Sequence, residues 1–277
     1  MFRLSMGDLT AARCLYREGH YRQSLFMFQQ ASEKINKAVA VFAGEVEHTK
    51  VKKYSHGQLS IYKDITRKKK EEIAQILKAV ESFPHAQSPA FPMLDFNAHH
   101  NLMETASQEL AQWDKNKTHQ FSLRELNTLI KEIKEAEVFE FTKPKNIKTK
   151  LKKHYSALAD WAGQFGTPQA LAYQKDLLET INDKKKLQEL TDIVFEVSVL
   201  QMQFTFSHFV LITCALITNH HSIATRYSDG NIDPDEIYTL KLPIIRKQEA
   251  FMDMLERAIS RIDKLVGLDL HSLQGLD

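Results

Sequence analysis

The densest group of chemically capable residues is His220, His221 and Arg226, in the run NHHSIATRYSDGNIDP. A histidine changes charge near neutral pH, and an arginine fork fits two phosphate oxygens at once. Asp233-Pro234 then opens a final helix, whose free N-terminal amides would join Arg226 in holding a phosphate. The competing reading pairs Arg226 with Asp229 or Asp233 and packs Tyr227 against the core. Lysines supply the second chemistry. From Lys143 to Lys153 the chain reads KPKNIKTKLKK, with no acid. Lys148, Lys150, Lys152 and Lys153 there would follow a nucleic-acid backbone if they share a face, with affinity falling steeply as salt rises; scattered, they only aid solubility. Further basic windows lie at Lys50 to Lys53, Arg67 to Lys70 and Lys184 to Lys186. Metal chemistry is not expected. His99-His100, His220-His221 and His48 with His56 lack the spacings of established sites, and no Gly-rich phosphate loop or Gly-x-Ser-x-Gly turn occurs.

The elements that must position these residues read as helices. Long segments rich in Leu, Lys, Glu, Gln and Ala are broken by only 9 Gly and 7 Pro, which predicts an all-α protein. Asp8 or Thr10 would cap a first helix that ends at Gly19. Tyr21 to Phe42 follows, with Leu25, Phe28, Ser32, Ile35, Val39 and Phe42 on one face. Gln30, Glu33, Lys34 and Lys37 stand opposite, as a solvated stripe with a Glu33–Lys37 pair one turn apart. Ser55 to Ser82 is a basic helix, and Pro84 to Pro92 is the best internal break. His99 to Trp113 is helical. Ser122-Leu123-Arg124-Glu125 is a capping box, and Thr167 with Pro168 opens another helix.

Val197 to Ile217 carries no Lys, Arg, Asp or Glu. Gln201, Gln203, Thr205, Ser207, His208 and Thr213 interrupt its apolar run, so a buried core helix fits better than a membrane span. His208 reads as a hydrogen-bonded core histidine. The final helix has its buried stripe from Ile244 to Leu265, and Pro243 inside that pattern predicts a kink or interruption.

The formal charge of +2 over 277 residues does not by itself imply nucleic acid. Cys14 and Cys214 are too far apart to suggest a metal motif or disulfide framework, which fits a reducing cytoplasm. The start, MFRLSMGDLT, lacks the apolar core of a secretory signal, and neither export nor membrane attachment is expected.

A resemblance now enters. GHYRQSLFMFQQASEKINKAV resembles the second helix of HEPN domains (higher eukaryotes and prokaryotes nucleotide-binding), with a short helix, a Gly-aromatic turn, then an Ala/Gln-rich helix carrying Glu33 and Lys37. His56 in YSHGQL resembles the histidine that often follows that helix, with His-Gly-Gln-Leu in place of His-Asp-Leu. Phage abortive-infection proteins of similar helical design carry a His and Lys pair there, to which His48, Lys50 and Lys52 would correspond. Ala224-Thr225-Arg226-Tyr227-Ser228 is similar to the Ala-Arg-Tyr-Pro motif after the third HEPN helix, with Thr inserted and Ser in place of Pro.

The resemblance implies a HEPN-like four-helix bundle with a multi-helix insertion between its second and third helices. Residues 1–66 and 190–277 would form the two halves of the bundle, and residues 67–189 the basic insertion. It further implies nucleotide or phosphate contacts from Glu33, Lys37, His56, Arg226 and Tyr227, and pairing of two copies as a homodimer. A nucleotidyltransferase or other protein partner belongs to the same expectation. Catalytic members resemble one another in an Arg-x(4–6)-His motif, and are metal-independent ribonucleases in which Arg binds the scissile phosphate and His is acid or base. Here the order is reversed, with His221, four residues, then Arg226. Arg13 and His20 fit the spacing but straddle the end of the first helix. The leading expectation is a cytoplasmic protein binding a nucleotide or RNA phosphate, with no cofactor. The alternatives are a ribonuclease toxin of a toxin–antitoxin pair or phage-defence effector with an altered site, and a non-enzymatic helical scaffold.

Overall fold

The computed structural model describes residues 1–54, 58–81, 96–115, 120–138, 142–221, 225 and 233–273. All regular structure among them is helical, in agreement with the all-α reading. In order these are α1 (Phe2–Arg17), α2 (Tyr21–Phe42), a 3-10 segment (His48–Lys53), α3 (Gln58–Glu81), α4 (Phe96–Lys115) and α5 (Leu123–Glu137). They continue as α6 (Ile147–Gly163), α7 (Pro168–Asn182), α8 (Lys184–Asn219), the single turn α9 (Pro234–Ile237) and α10 (Pro243–Leu273). The Pro84 to Pro92 break lies outside the described residues.

Local chemistry sets several of these ends. Gly19, at φ 80°, closes α1 in a conformation that a Cβ would strain. The Ser122 hydroxyl accepts from the Glu125 amide while the Glu125 carboxylate accepts from the Ser122 amide, which completes the capping box of α5. Thr167 caps α7 and Pro168 stands in its first turn. Two expectations change. Helix α1 begins at Phe2 rather than near Asp8, because Asp8 is engaged by Lys34 of α2 and lies inside the helix. Asp233 and Pro234 open only the four residues of α9; the interruption expected at Pro243 is real, and that proline starts α10. Proline suits a helix start, where its missing amide costs nothing.

The chain forms two compact units. The first combines Met1–Ile65, Ser107–Phe139 and Met202–Asp277. Its core joins Leu9 and Ala12 of α1, Leu25, Phe28 and Ile35 of α2, Val210, Leu211 and Ile217 of α8, and Phe251, Leu255, Ile259 and Ile262 of α10. Leu126 and Ile133 of α5 enter the same core, so this helix, which falls inside the expected insertion, packs with α1, α2 and α10. Small side chains let α1 approach α2 closely. The Ser5 hydroxyl donates to the Ala31 carbonyl at 2.7 Å, and Ser24 donates back to Ala12 at 2.6 Å.

The most enclosed helix is α2, not the charge-free stretch near the C-terminus. Ser24, Leu25, Phe28, Gln29, Ala31, Ser32, Glu33, Ile35, Asn36 and Val39 are all buried, which takes in most of its circumference. Within Val197 to Ile217 the core reading holds only for the later part: Val210, Leu211, Cys214 and Ala215 are buried, whereas Val197 is 58% and Phe209 42% exposed. By length and composition α8 is the one helix among the described residues that is apolar enough to cross a membrane.

The second unit is Thr66–Ala106 with Glu140–Gln201. Among the described residues its buried side chains are Thr66 of α3, Ala159 and Ala162 of α6, Leu177 and Ile181 of α7 and Thr191 of α8. The Asp183 carboxylate accepts from the amides of Lys185 and Lys186, at 2.7 and 3.0 Å, and so caps the start of α8.

Candidate functional site

The expected histidine site lies in the first unit, and its described part is closed. His221 lies two residues beyond the end of α8 and is 8% exposed. Its Nδ1 lies 3.1 Å from the Tyr238 hydroxyl, with the two rings edge to face. Burial, with a smaller contribution from His220, pushes the His221 imidazole down to about 4, and burial pushes the Tyr238 phenol up to about 12. Both groups are therefore neutral around pH 7, and their hydrogen bond is between neutral partners. Neighbouring groups hold Thr225 in place. The Thr225 hydroxyl donates to the His221 carbonyl at 2.7 Å, and Arg22 of α2 donates to the Thr225 carbonyl at 3.3 Å. The same guanidinium pairs with Asp235 of α9 at 2.7 Å. A recess beside His221, bounded by Phe121 and Pro243, has room for about one water. Arg226, Tyr227 and His56 lie outside the described residues.

Glu33 and Lys37 do pair, at 2.6 Å, but the pair is enclosed rather than solvated: the two side chains are 8% and 13% exposed. The same side of α2 carries a buried polar layer. The Asn36 amide donates to the Ser32 carbonyl at 2.8 Å and the Tyr62 hydroxyl donates to Asn36. Burial raises the Tyr62 phenol well above its usual range. His208 meets aromatic rings and has no hydrogen bond to a described residue: its ring stands edge-on to Phe204 at 5.5 Å and tilted to Tyr62 at 5.9 Å, and burial lowers its proton affinity. Arg13, the other half of the chance match with His20, binds Asp253 and Glu256 of α10 at 2.7 and 2.6 Å. Among the described residues no group of three or more His, Cys, Asp or Glu is placed to hold a metal ion.

The lysine window is where the structure opens. In the second unit, Lys148, Lys152 and Lys153 of α6 line a groove of about 660 Å³ with Thr149 and Ser156. Asp160 lies at its far end, and Leu187 of α8 adds an apolar contact. Lys148, Lys152 and Ser156 follow one another at i, i+4 spacing, so they share a stripe of the helix. Lys150 falls on another side of α6; it is exposed but does not line the groove. No ion pair joins Lys148, Lys150, Lys152 or Lys153 to a described residue, although Lys148 feels the field of Asp192.

The other basic windows differ. Arg67 pairs with Glu71 at 3.0 Å, Lys69 with Glu72 at 3.2 Å and Lys70 with Glu104. Lys53 is held by Asp64 at 3.1 Å and Lys50 by Glu47 at 2.5 Å. Lys143 is engaged by Asp192, whose carboxyl is held below its usual range by Gln188 and then by Lys143. Charge already matched inside the protein has little left for a ligand. Four lysines of α6 keep theirs. Thr149, Ser156 and Asp160 were not singled out from sequence, although the i, i+4 run from Lys148 through Lys152 and Ser156 to Asp160 carries the signal. Arg22 and Tyr238 had no such mark, because their partners stand far off in the sequence, Thr225 by 203 residues from Arg22 and His221 by 17 from Tyr238.

Residues 2–85 match the family model of the HEPN domain. The match takes in α1, α2, the 3-10 segment and α3. No curated protein and no solved structure matches the chain.

Proposed function

We propose that the protein binds the phosphates of a nucleotide or RNA, and that the groove on α6 is where it does so. The observation that carries this reading is that Lys148, Lys152 and Lys153, none of them in an ion pair with a described residue, gather with two hydroxyl side chains along one groove. Lysine ammoniums attract phosphate as point charges, and hydroxyls complete the hydrogen bonding. The HEPN match at residues 2–85 supports the ligand class, although it does not extend to α6. The closed surroundings of His221 and of the Glu33–Lys37 pair make these two places poorer candidates for first contact with a ligand.

The test is binding of a short labelled RNA by the wild-type protein and by the Lys148→Ala/Lys152→Ala/Lys153→Ala variant, across a salt series. The expected outcome is salt-sensitive binding by the wild type and a slope shallower by about 2 in the variant, the release of counterions from three single-strand phosphates. The same slope in both proteins removes the groove from the reading. No binding by folded wild-type protein, to RNA or to nucleotides, removes the reading itself.

A further inference from the structure

The charge in the groove is polarised along its length, and this selects among phosphate ligands. Lys148, Lys152 and Lys153 occupy one end, Ser156 the middle and Asp160 the other end. At 1.5 Å of rise per residue, Lys153 and Asp160 are about 10 Å apart along α6, and Lys148 and Asp160 about 18 Å. No lysine follows Lys153 among the lining residues. A polyanionic strand running the length of the groove would carry a phosphate onto the Asp160 carboxylate, where like charges repel. A ligand with negative charge at one end and hydrogen-bond donors at the other meets no such conflict.

From this we infer that the groove takes a free ribonucleoside polyphosphate, with its phosphates among the lysines and its ribose hydroxyls donating to Asp160. The inference rests on the groove being the phosphate site proposed above, and it narrows the ligand within that class. A carboxylate only accepts hydrogen bonds, and its two oxygens suit the paired 2′ and 3′ hydroxyls of an unesterified ribose. Inside an RNA strand the 3′ oxygen is esterified and the next phosphate follows it, so the pair of donors is lost. Three lysines within six residues suit more than one phosphate group. The volume of about 660 Å³ lies in the range of small-molecule sites. Ala157 and Leu187 supply apolar surface between the charged ends.

Calorimetry tests the inference with each of ATP, GTP, CTP and UTP, the 2′,3′-dideoxy form of the tightest, and a short RNA with blocked ends. The wild-type protein is expected to bind at least one ribonucleotide more tightly than the blocked RNA. Loss of both hydroxyls should weaken binding by about tenfold, the usual cost of a hydrogen bond to a charged group. In Asp160→Ala that preference should vanish while binding of the dideoxy form persists. Asp160→Lys should shift the preference towards the RNA.

Tighter binding of blocked RNA than of every nucleotide, still dependent on the three lysines, overturns this inference and leaves the phosphate site standing. So does an unchanged preference for hydroxyls in Asp160→Ala. Failure of all these probes to bind wild-type protein overturns both. Circular dichroism of each variant establishes that it is folded before binding is compared.

Discussion

His221 shows how burial governs what a side chain can do with a proton. Free in water its ring would protonate near 6.5; enclosed beside Tyr238 it resists until about 4. In the unfolded chain the ring takes its proton first as pH falls, so the folded state loses stability between about 6.5 and about 4, by at most about 3 kcal/mol. Above that window His221 contributes no pH dependence. Urea unfolding over a pH series should therefore show a flatter acid limb in His221→Asn than in the wild type; parallel limbs would refute the assignment. The Glu33–Lys37 pair gives a second residue-scale prediction. Lys37→Met leaves a carboxylate buried without its cation and should cost about 3 kcal/mol or more, whereas Glu33→Leu/Lys37→Met should recover most of that loss. Equal destabilisation by the single and double variants would mean that the pair is not the source of the cost.

Capping and packing meet in α5. Its Ser122 box fixes the start, and from there the helix delivers Leu126 and Ile133 to the core and Glu137 to α10. Glu137 accepts two hydrogen bonds from Arg257, at 2.7 and 2.9 Å, and one from Arg261 at 3.2 Å. These partners, Arg257 first, hold its carboxyl below the usual range. Ser122→Ala should lower stability by about 1 kcal/mol and speed amide exchange in the first turn of α5; unchanged exchange there would refute the cap. The features of this helix visible in the sequence were local ones. Ser122 with Glu125, and Thr167 with Pro168, declare helix starts within four residues, and the span Tyr21–Phe42 followed from spacing alone. Which core α5 joins was not local, since Glu137 meets Arg257 only through the fold. The same applies to Glu33: the pair with Lys37 could be read from i, i+4 spacing, but its enclosure depends on the helices around α2. In α8 a charge-free composition indicated burial throughout, whereas neighbours cover chiefly Val210 to Thr218.

At the scale of the whole molecule, the two units can be followed separately because each holds one of the two tryptophans. Trp113 stacks on Phe121 at 5.3 Å in the first unit, and Trp161 meets Phe165 edge-on at 4.8 Å in the second. Truncation after Leu242 removes Phe251, Leu255, Ile259 and Ile262 from the first core. In a Trp161→Phe background this should shift Trp113 emission to the red, towards that of a solvated indole. In a Trp113→Phe background the same truncation should leave Trp161 emission in place. Retention of the native Trp113 spectrum would show that α10 is dispensable to that core.

The joining of α1 and α2 to α10 also matters while the protein is being made. Leu9, Phe28 and Ile35 leave the ribosome more than two hundred residues before the side of α10 that covers them, and Arg13 must wait for Asp253 and Glu256. At typical rates of synthesis that delay is on the order of ten to fifty seconds. Through that time the nascent chain presents uncovered apolar helix faces, and its first unit can complete its core only once α10 has been made.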